Sequence, residues 1–244
     1  MSDPAAELNR HQRQHAAPLL KICGLRRQDQ AEAIAALGVD AIGVIGVASS
    51  PRFVPAPQRA GLFAAVRQRS ESCQRVLVVA DPDDADLDEL NPRHGHTLLQ
   101  LHGQESPQRC QELRQRCGCP VWKALRLRSP ADLAQLEDYS ESVDALLLDA
   151  WAADQLGGTG QRIPIAWLQS LQTKLPWWLA GGITASRIPE LLSLVSPGGL
   201  DVSSGVERAP GEKDLALVQQ LVATVQAAGY GPGGSKREDL PSLG

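Results

Sequence analysis

The chain has 244 residues, with 24 Lys plus Arg against 28 Asp plus Glu and a net charge of −4, a balance that offers no electrostatic footprint for nucleic acid or an anionic membrane. Hydrophobic residues make up 43% and charged residues 21%, which excludes a disordered chain, and no apolar run approaches the roughly 18–20 residues that span a bilayer. Five cysteines without a C-x-x-C pair read as reduced thiols and exclude a disulfide framework or a zinc site.

Residues 1–18 are polar, carry no apolar h-region of a secretory signal, and are expected to form a loosely ordered extension of a cytoplasmic protein. Eight apolar runs follow, at 19–23, 41–47, 75–80, 97–101, 121–125, 145–149, 177–180 and 200–203. Most are near-continuous in Val, Ile and Leu, the pattern of parallel strands buried on both faces. Helical patterns lie between them. The segment 81–96 is the weakest and is expected to hold only a short helix. Ser106-Pro107 and Ser129-Pro130 each set an N-cap residue before a proline at the first helical position. Thr184 stands where it can cap the helix after the seventh strand, in which Ile188, Leu191, Leu192 and Val195 recur at helical spacing. Leu215, Val218, Leu221, Val222 and Val225 mark the last helix. Residues 229–244 hold five Gly and two Pro and read as a flexible tail. No linker divides residues 19–228, so the spacing predicts one domain, a (β/α)8 barrel of eight parallel strands. An open doubly wound sheet would more often carry five or six strands, and no G-x-G-x-x-G follows the first run.

In such a barrel the chemistry sits at the C-terminal ends of the strands. Strand one ends Lys21-Ile22-Cys23-Gly24, and alternation points Lys21 and Cys23 the same way. A nearby ammonium lowers a thiol pKa, and the thiolate would serve as nucleophile or general base. Cys73, Cys110, Cys117 and Cys119 instead fit small buried hydrophobes. Asp149 closes the apolar run of strand six, where desolvation raises a carboxyl pKa and suits a general acid; the alternative is an Asp that caps the next loop. Strands one and six are not neighbours in an eight-stranded ring, so Cys23 and Asp149 face each other across the mouth with a substrate between them. Arg52 is either a bidentate carboxylate clamp or a solvated surface arginine. His102 is an active-site donor or, with slightly more weight, a satisfied structural histidine. Asp201 is expected to pair with Lys21 across strands eight and one. Gly181-Gly182 after strand seven and Ser203-Ser204-Gly205 after strand eight occupy the positions where this fold recurrently binds phosphate.

At these residues the sequence resembles the phosphoribosylanthranilate isomerases of tryptophan biosynthesis. The matching pieces are Lys21 to Gly24, Ser50-Pro51-Arg52-Phe53, Gln100-Leu101-His102-Gly103, Leu147-Leu148-Asp149, the loop 157–160, Ala180-Gly181-Gly182-Ile183, and Asp201 through Glu207 with Pro210-Gly211 and Lys213-Asp214. They span roughly residues 19–228, and KICG with DVSSGVE is the specific combination. The resemblance implies a (β/α)8 barrel and an Amadori rearrangement of N-(5-phosphoribosyl)anthranilate to 1-(2-carboxyphenylamino)-1-deoxyribulose 5-phosphate, without cofactor or metal. It implies Cys23 as general base, Asp149 as general acid and Arg52 as the contact to the anthranilate carboxylate. Phosphate would lie at Gly182 and at Ser203 to Gly205.

Two positions depart from the family pattern. Strand two reads Gly43-Val44-Ile45-Gly46-Val47 where an aromatic residue is common, and Trp151 follows Asp149 where a smaller polar residue is often found. Related histidine-pathway sugar isomerases carry Asp where Cys23 stands and show two similar half-barrels, a duplication absent here. A non-catalytic phosphosugar-binding barrel would keep the glycine loops but have no use for Cys23 and Asp149. The expected partner is a small phosphoribosyl substrate, and the expected state is a monomer.

Overall fold

A computed structural model of the chain describes residues 17–150 and 162–229. Eight parallel strands close into a barrel in chain order: β1 (Leu19–Cys23), β2 (Ala41–Ile45), β3 (Gln74–Val79), β4 (Leu98–Leu101), β5 (Val121–Leu127), β6 (Ala145–Ala150), β7 (Trp177–Ala180) and β8 (Gly199–Val202). β8 pairs back onto β1 through Leu19↔Gly199 and Lys21↔Asp201. The eight apolar runs are thus the eight strands. The second and eighth end earlier than the apolar pattern does, because the chain leaves the sheet after Gly46 into the turn that the Ser50 N–H closes on the Val47 carbonyl, and after Val202 into the 3-10 turn Ser204–Val206.

The helices are α1 (Gln28–Ala35), α2 (Ala56–Arg69), α3 (Pro107–Cys117), α4 (Ile188–Leu194) and α5 (Leu215–Gly229). Ser106 caps α3 as its spacing predicts, its side chain accepting from the Arg109 N–H at 3.2 Å. The segment 81–96 forms no α-helix; it holds the 3-10 turns Asp86–Asp88 and Pro92–His94. Ser129-Pro130 opens a 3-10 run, Pro130–Tyr139, and not an α-helix; Asp132 reaches back to the Ser129 N–H at 2.9 Å. Thr184 does occupy an N-cap position, but its hydroxyl meets Ser186 and no backbone cap forms. A short hairpin the sequence did not announce, β9 (Glu207–Ala209) with β10 (Glu212–Lys213), follows β8. Trp151, the loop 157–160 and residues 1–16 and 230–244 lie outside the described residues.

Alternation along the strands sorts the core into two layers. Outward residues such as Ile22, Ile42, Leu77, Leu99, Leu146 and Leu200 pack under the helices. Inward residues form a second cluster in which Trp122 and Trp178, ring centroids 4.6 Å apart, fill space left by Ala41, Ala124, Ala145 and Ala180. Each such buried large side chain contributes about 1.5–3 kcal/mol. The same alternation continues upward. Lys21 and Cys23, Gln100 and His102, Leu147 and Asp149, Asp201 and Ser203 stand one above the other at the C-terminal end of the barrel.

Candidate active site

All ten residues singled out from the sequence line one cavity at this end: Cys23, Arg52, His102, Asp149, Gly181, Gly182, Asp201, Ser203, Ser204 and Gly205. The space there, which opens to solvent, is about 670 Å³.

Lys21 is fully buried beneath Cys23. Its Nζ donates to Asp201 Oδ2 at 3.0 Å and to Gln100 Oε1 at 2.9 Å, so the expected ion pair is present. Burial opposes the lysine charge, but Asp201 and the Cys23 sulfur outweigh it and hold Lys21 above its ordinary value. The Cys23 thiol corrects the sequence reading. Burial pushes it up by more than Lys21 pulls it down, so its pKa lies above that of an ordinary thiol, not below. Gly43, the register partner of Cys23, gives the sulfur its room: a Cβ there would stand 2.6 Å from Cys23 Sγ and 3.1 Å from Lys21 Cε.

Asp149 lies across the ring from Cys23, on β6, and is 4% exposed. Its Oδ1 accepts the Ala150 N–H at 2.8 Å. Its Oδ2 lies 3.6 Å from His102 Nε2, beyond hydrogen-bond distance. His102 Nδ1 faces Gln100 Nε2 at 3.2 Å, and Nε2 has no hydrogen-bond partner among the described residues. His102 is therefore not the satisfied structural histidine that the sequence slightly favoured.

Arg52 is 4% exposed, which removes the surface reading. Its Nε donates to Glu207 Oε1 at 2.9 Å and its Nη2 to Glu207 Oε2 at 2.6 Å, so that edge of the fork is committed within the protein. Lys213, also buried, donates to Glu207 Oε1 at 2.7 Å and to the Cys23 carbonyl. Burial alone would raise the Glu207 carboxyl, but Arg52 and Lys213 outweigh it and hold Glu207 below its ordinary value. Burial is the larger influence on Lys213, which is lowered. Gly24, at φ +82°, lets the arginine cross over the end of β1, since a Cβ there would meet Arg52 Cδ at 2.5 Å.

Gly181 and Gly182 both have positive φ, at 94° and 59°, and turn the chain from β7 into the 3-10 turn Ala185–Arg187. Gly205 packs against the Ile183 carbonyl, bringing the loops after β7 and β8 into contact at the cavity wall. Ser203 Oγ donates to the Cys23 carbonyl at 3.1 Å.

Gln100, Glu207, Lys213 and Gly43 had no role in the sequence reading, although the first three stood in quoted motifs. Gln100 was findable: it sits two residues before His102 on a strand and shares its face. Arg126, the register partner of Asp149, is set there by the β5–β6 pairing, which local sequence does not announce. The Glu207–Lys213 pair depends on a hairpin that nothing local announced.

The family model of N-(5'-phosphoribosyl)anthranilate (PRA) isomerase matches residues 20–224. An N-(5'-phosphoribosyl)anthranilate isomerase of Synechococcus sp. (strain JA-3-3Ab) is 44% identical over 212 residues, 86% of this chain and 92% of its own length. The phosphoribosyl anthranilate isomerase of Thermus thermophilus superposes with a TM-score of 0.73 at 31% identity, covering 86% of this chain and 98% of its own. A further isomerase structure, solved with reduced 1-(o-carboxyphenylamino)-1-deoxyribulose 5-phosphate, shares the fold with a TM-score of 0.70 at 23% identity over 86% of this chain and 99% of its own.

Proposed function

This chain belongs to the N-(5'-phosphoribosyl)anthranilate isomerase family, and from that premise we propose that its barrel mouth carries out the Amadori rearrangement with Cys23 as general base and Asp149 as general acid. It is an isomerase of the aldose–ketose type in tryptophan biosynthesis. The observation that carries the assignment of roles is the opposition of a buried thiol on β1 and a buried carboxyl on β6 across one cavity.

The steps follow from the groups present. Asp149 delivers a proton to the ribose ring oxygen, the C1–O bond breaks, and a cationic Schiff base forms at C1. That cation acidifies the C2–H. The Cys23 thiolate takes the C2 proton, the electron pair moves to C1=C2, and the nitrogen becomes neutral in an enolamine. The enolamine becomes the ketone as its hydroxyl loses a proton and C1 gains one. Because burial raises the resting thiol, the fraction ionised is small at neutral pH, and the Schiff-base cation formed beside it favours the thiolate.

Binding at both ends aligns the ribose between acid and base. The phosphate takes the backbone of Gly181, Gly182 and Ser203 to Gly205. The anthranilate carboxylate takes Arg52, which Glu207 holds at the cavity wall. Asp201 keeps Lys21 under Cys23. The reading needs no metal and no cofactor. Its partner is a small phosphoribosyl substrate, its working unit a monomer, and its compartment the cytoplasm, in keeping with five unpaired cysteines. Among the described residues no helix is long and apolar enough to cross a membrane.

A crystal of this chain with the reduced product analogue tests the reading. Phosphate should lie against Gly182 and Ser204, the carboxylate against Arg52, and C1–C2 between Cys23 Sγ and Asp149. A phosphate bound elsewhere on the rim, or a ribose out of reach of either residue, would overturn it.

A further inference from the structure

A chain of polar side chains crosses the barrel interior from β8 to β4. Lys21 Nζ donates to Asp201 Oδ2 and to Gln100 Oε1, and Gln100 Nε2 lies 3.2 Å from His102 Nδ1. Each step fixes the direction of the next. An ammonium only donates, so the amide oxygen of Gln100 must face Lys21 and its NH2 must face the imidazole. Against that donor Nδ1 is an acceptor, and a neutral ring with a lone pair on Nδ1 carries its proton on Nε2. The Nε2–H is buried, unpartnered among the described residues, and 3.6 Å from Asp149 Oδ2 in the same cavity. Asp149 Oδ1 is already engaged by the Ala150 N–H, which leaves Oδ2 as the oxygen that holds the transferable proton.

We propose that His102 is a positioning residue for Asp149: the Gln100 amide fixes its Nε2–H tautomer, and that N–H closes onto Oδ2 once the carboxyl has released its proton. The proposal rests on the reading of Asp149 as the acid and adds the group that stabilises the new charge on its carboxylate. A protonated Oδ2 gains little from a second donor, whereas a carboxylate gains a charge-assisted bond. The contact therefore strengthens as charge develops and acts on turnover more than on substrate binding. Among the described residues, the other charged or titratable groups of this region are Arg126 on β5, Lys21 and Cys23 on β1, Asp201 on β8, Lys213 on β10 and Arg52 from the loop after β2. They are the same in every variant at position 102, so a series there isolates the imidazole.

The series is His102→Leu, His102→Asn and His102→Gln in the full chain, because a Gln amide reaches the position of Nε2 and an Asn amide that of Nδ1. With N-(5'-phosphoribosyl)anthranilate, the Leu and Asn variants should lose about tenfold in kcat with KM little changed, and Gln should restore most of it. With the reduced product analogue bound, the Asp149 carboxyl resonance, assigned by its loss in Asp149→Asn, should titrate about one pH unit higher in His102→Leu than in wild type, the same tenfold expressed as a pKa shift. It should return toward wild type in His102→Gln. The imidazole nitrogen spectrum of the wild type should show Nε2–H, and Gln100→Leu, which leaves the ring in place, should mix the tautomers. An unmoved Asp149 titration in His102→Leu, or a wild-type ring protonated on Nδ1, would overturn the proposal. If His102→Leu fails to fold, the wild-type and Gln100→Leu spectra and the Gln–Asn contrast still decide it. Undiminished turnover in Asp149→Asn would instead sink the acid assignment itself.

Discussion

Cys23 works against its surroundings in the role proposed for it: burial raises the thiol proposed as the base, and Lys21 and Lys213 oppose that rise. Alkylation of Cys23 by iodoacetamide in the ligand-free protein should therefore be slow at neutral pH and keep rising above pH 9.0, the ordinary thiol value. A plateau near neutrality would show that the ammonium wins. Arg52→Ala should raise KM by about 10- to 150-fold, the loss of a charge-assisted contact worth about 1.5–3 kcal/mol, and Arg52→Lys should rescue it only partly. A decarboxylated ligand should bind wild type and Arg52→Ala equally; an equal loss for both ligands would mean that Arg52 acts through loop structure alone. Its partner Glu207 carries a pH signature. The folded carboxyl lies below its ordinary value of 4.5, so the unfolded chain binds more protons in that range. The stability Glu207 contributes is complete above about pH 4.5 and is lost as pH falls through the lower folded value. Unfolding free energies of wild type and Glu207→Gln from urea titrations should differ most above that pH, by about 3–5 kcal/mol for a broken buried pair, and converge in acid. A difference that grew in acid would contradict the pairing.

At the scale of the element, β2 and α3 separate chemistry from stability. Gly43 on β2 gives the Cys23 sulfur its space, with 2.6 Å to a would-be Cβ. Gly43→Ala should cost about 1–3 kcal/mol by overpacking and also lower kcat, because the sulfur must move. Ser106→Ala at the start of α3 removes the cap on the Arg109 N–H and should cost about 1 kcal/mol with kcat unchanged. Thermal melts and steady-state rates on the two variants check the contrast; equal kcat for both would deny Gly43 its place beside the sulfur. The same elements show what local sequence conveys. Ser106-Pro107 and Ser129-Pro130 look alike in sequence, yet one opens an α-helix and the other a 3-10 run. A cap signal marks where a helix begins, while tertiary packing decides which helix it becomes.

Across the whole molecule, the strand order and the cavity were legible because period-two alternation and position at a strand end depend only on the local chain. Cys23, Asp149, Asp201 and the two glycine loops were found that way. What was not legible came from distant partners: Glu207 closing on Arg52, Gly43 facing Cys23, and burial outweighing Lys21 in setting the thiol. The strand-two stretch Gly43-Val44-Ile45-Gly46-Val47, where an aromatic residue is common, acquires meaning only once the register sets Gly43 beside Cys23. The whole-molecule account also predicts linkage: saturating the cavity with the reduced product analogue at about 100 times its Kd should add about 2.7 kcal/mol and raise Tm by about 5–10 °C. Absence of any shift would mean that the cavity does not hold the ligand. The roles proposed for Cys23 and Asp149 are tested by the loss of substrate fluorescence when freshly generated N-(5'-phosphoribosyl)anthranilate is mixed with the purified wild-type, Cys23→Ala and Asp149→Ala proteins. The account predicts rapid decay with wild type and rates lower by about 10²–10⁴-fold in each folded variant; no turnover by wild type, or near-wild-type turnover by either variant, would contradict it.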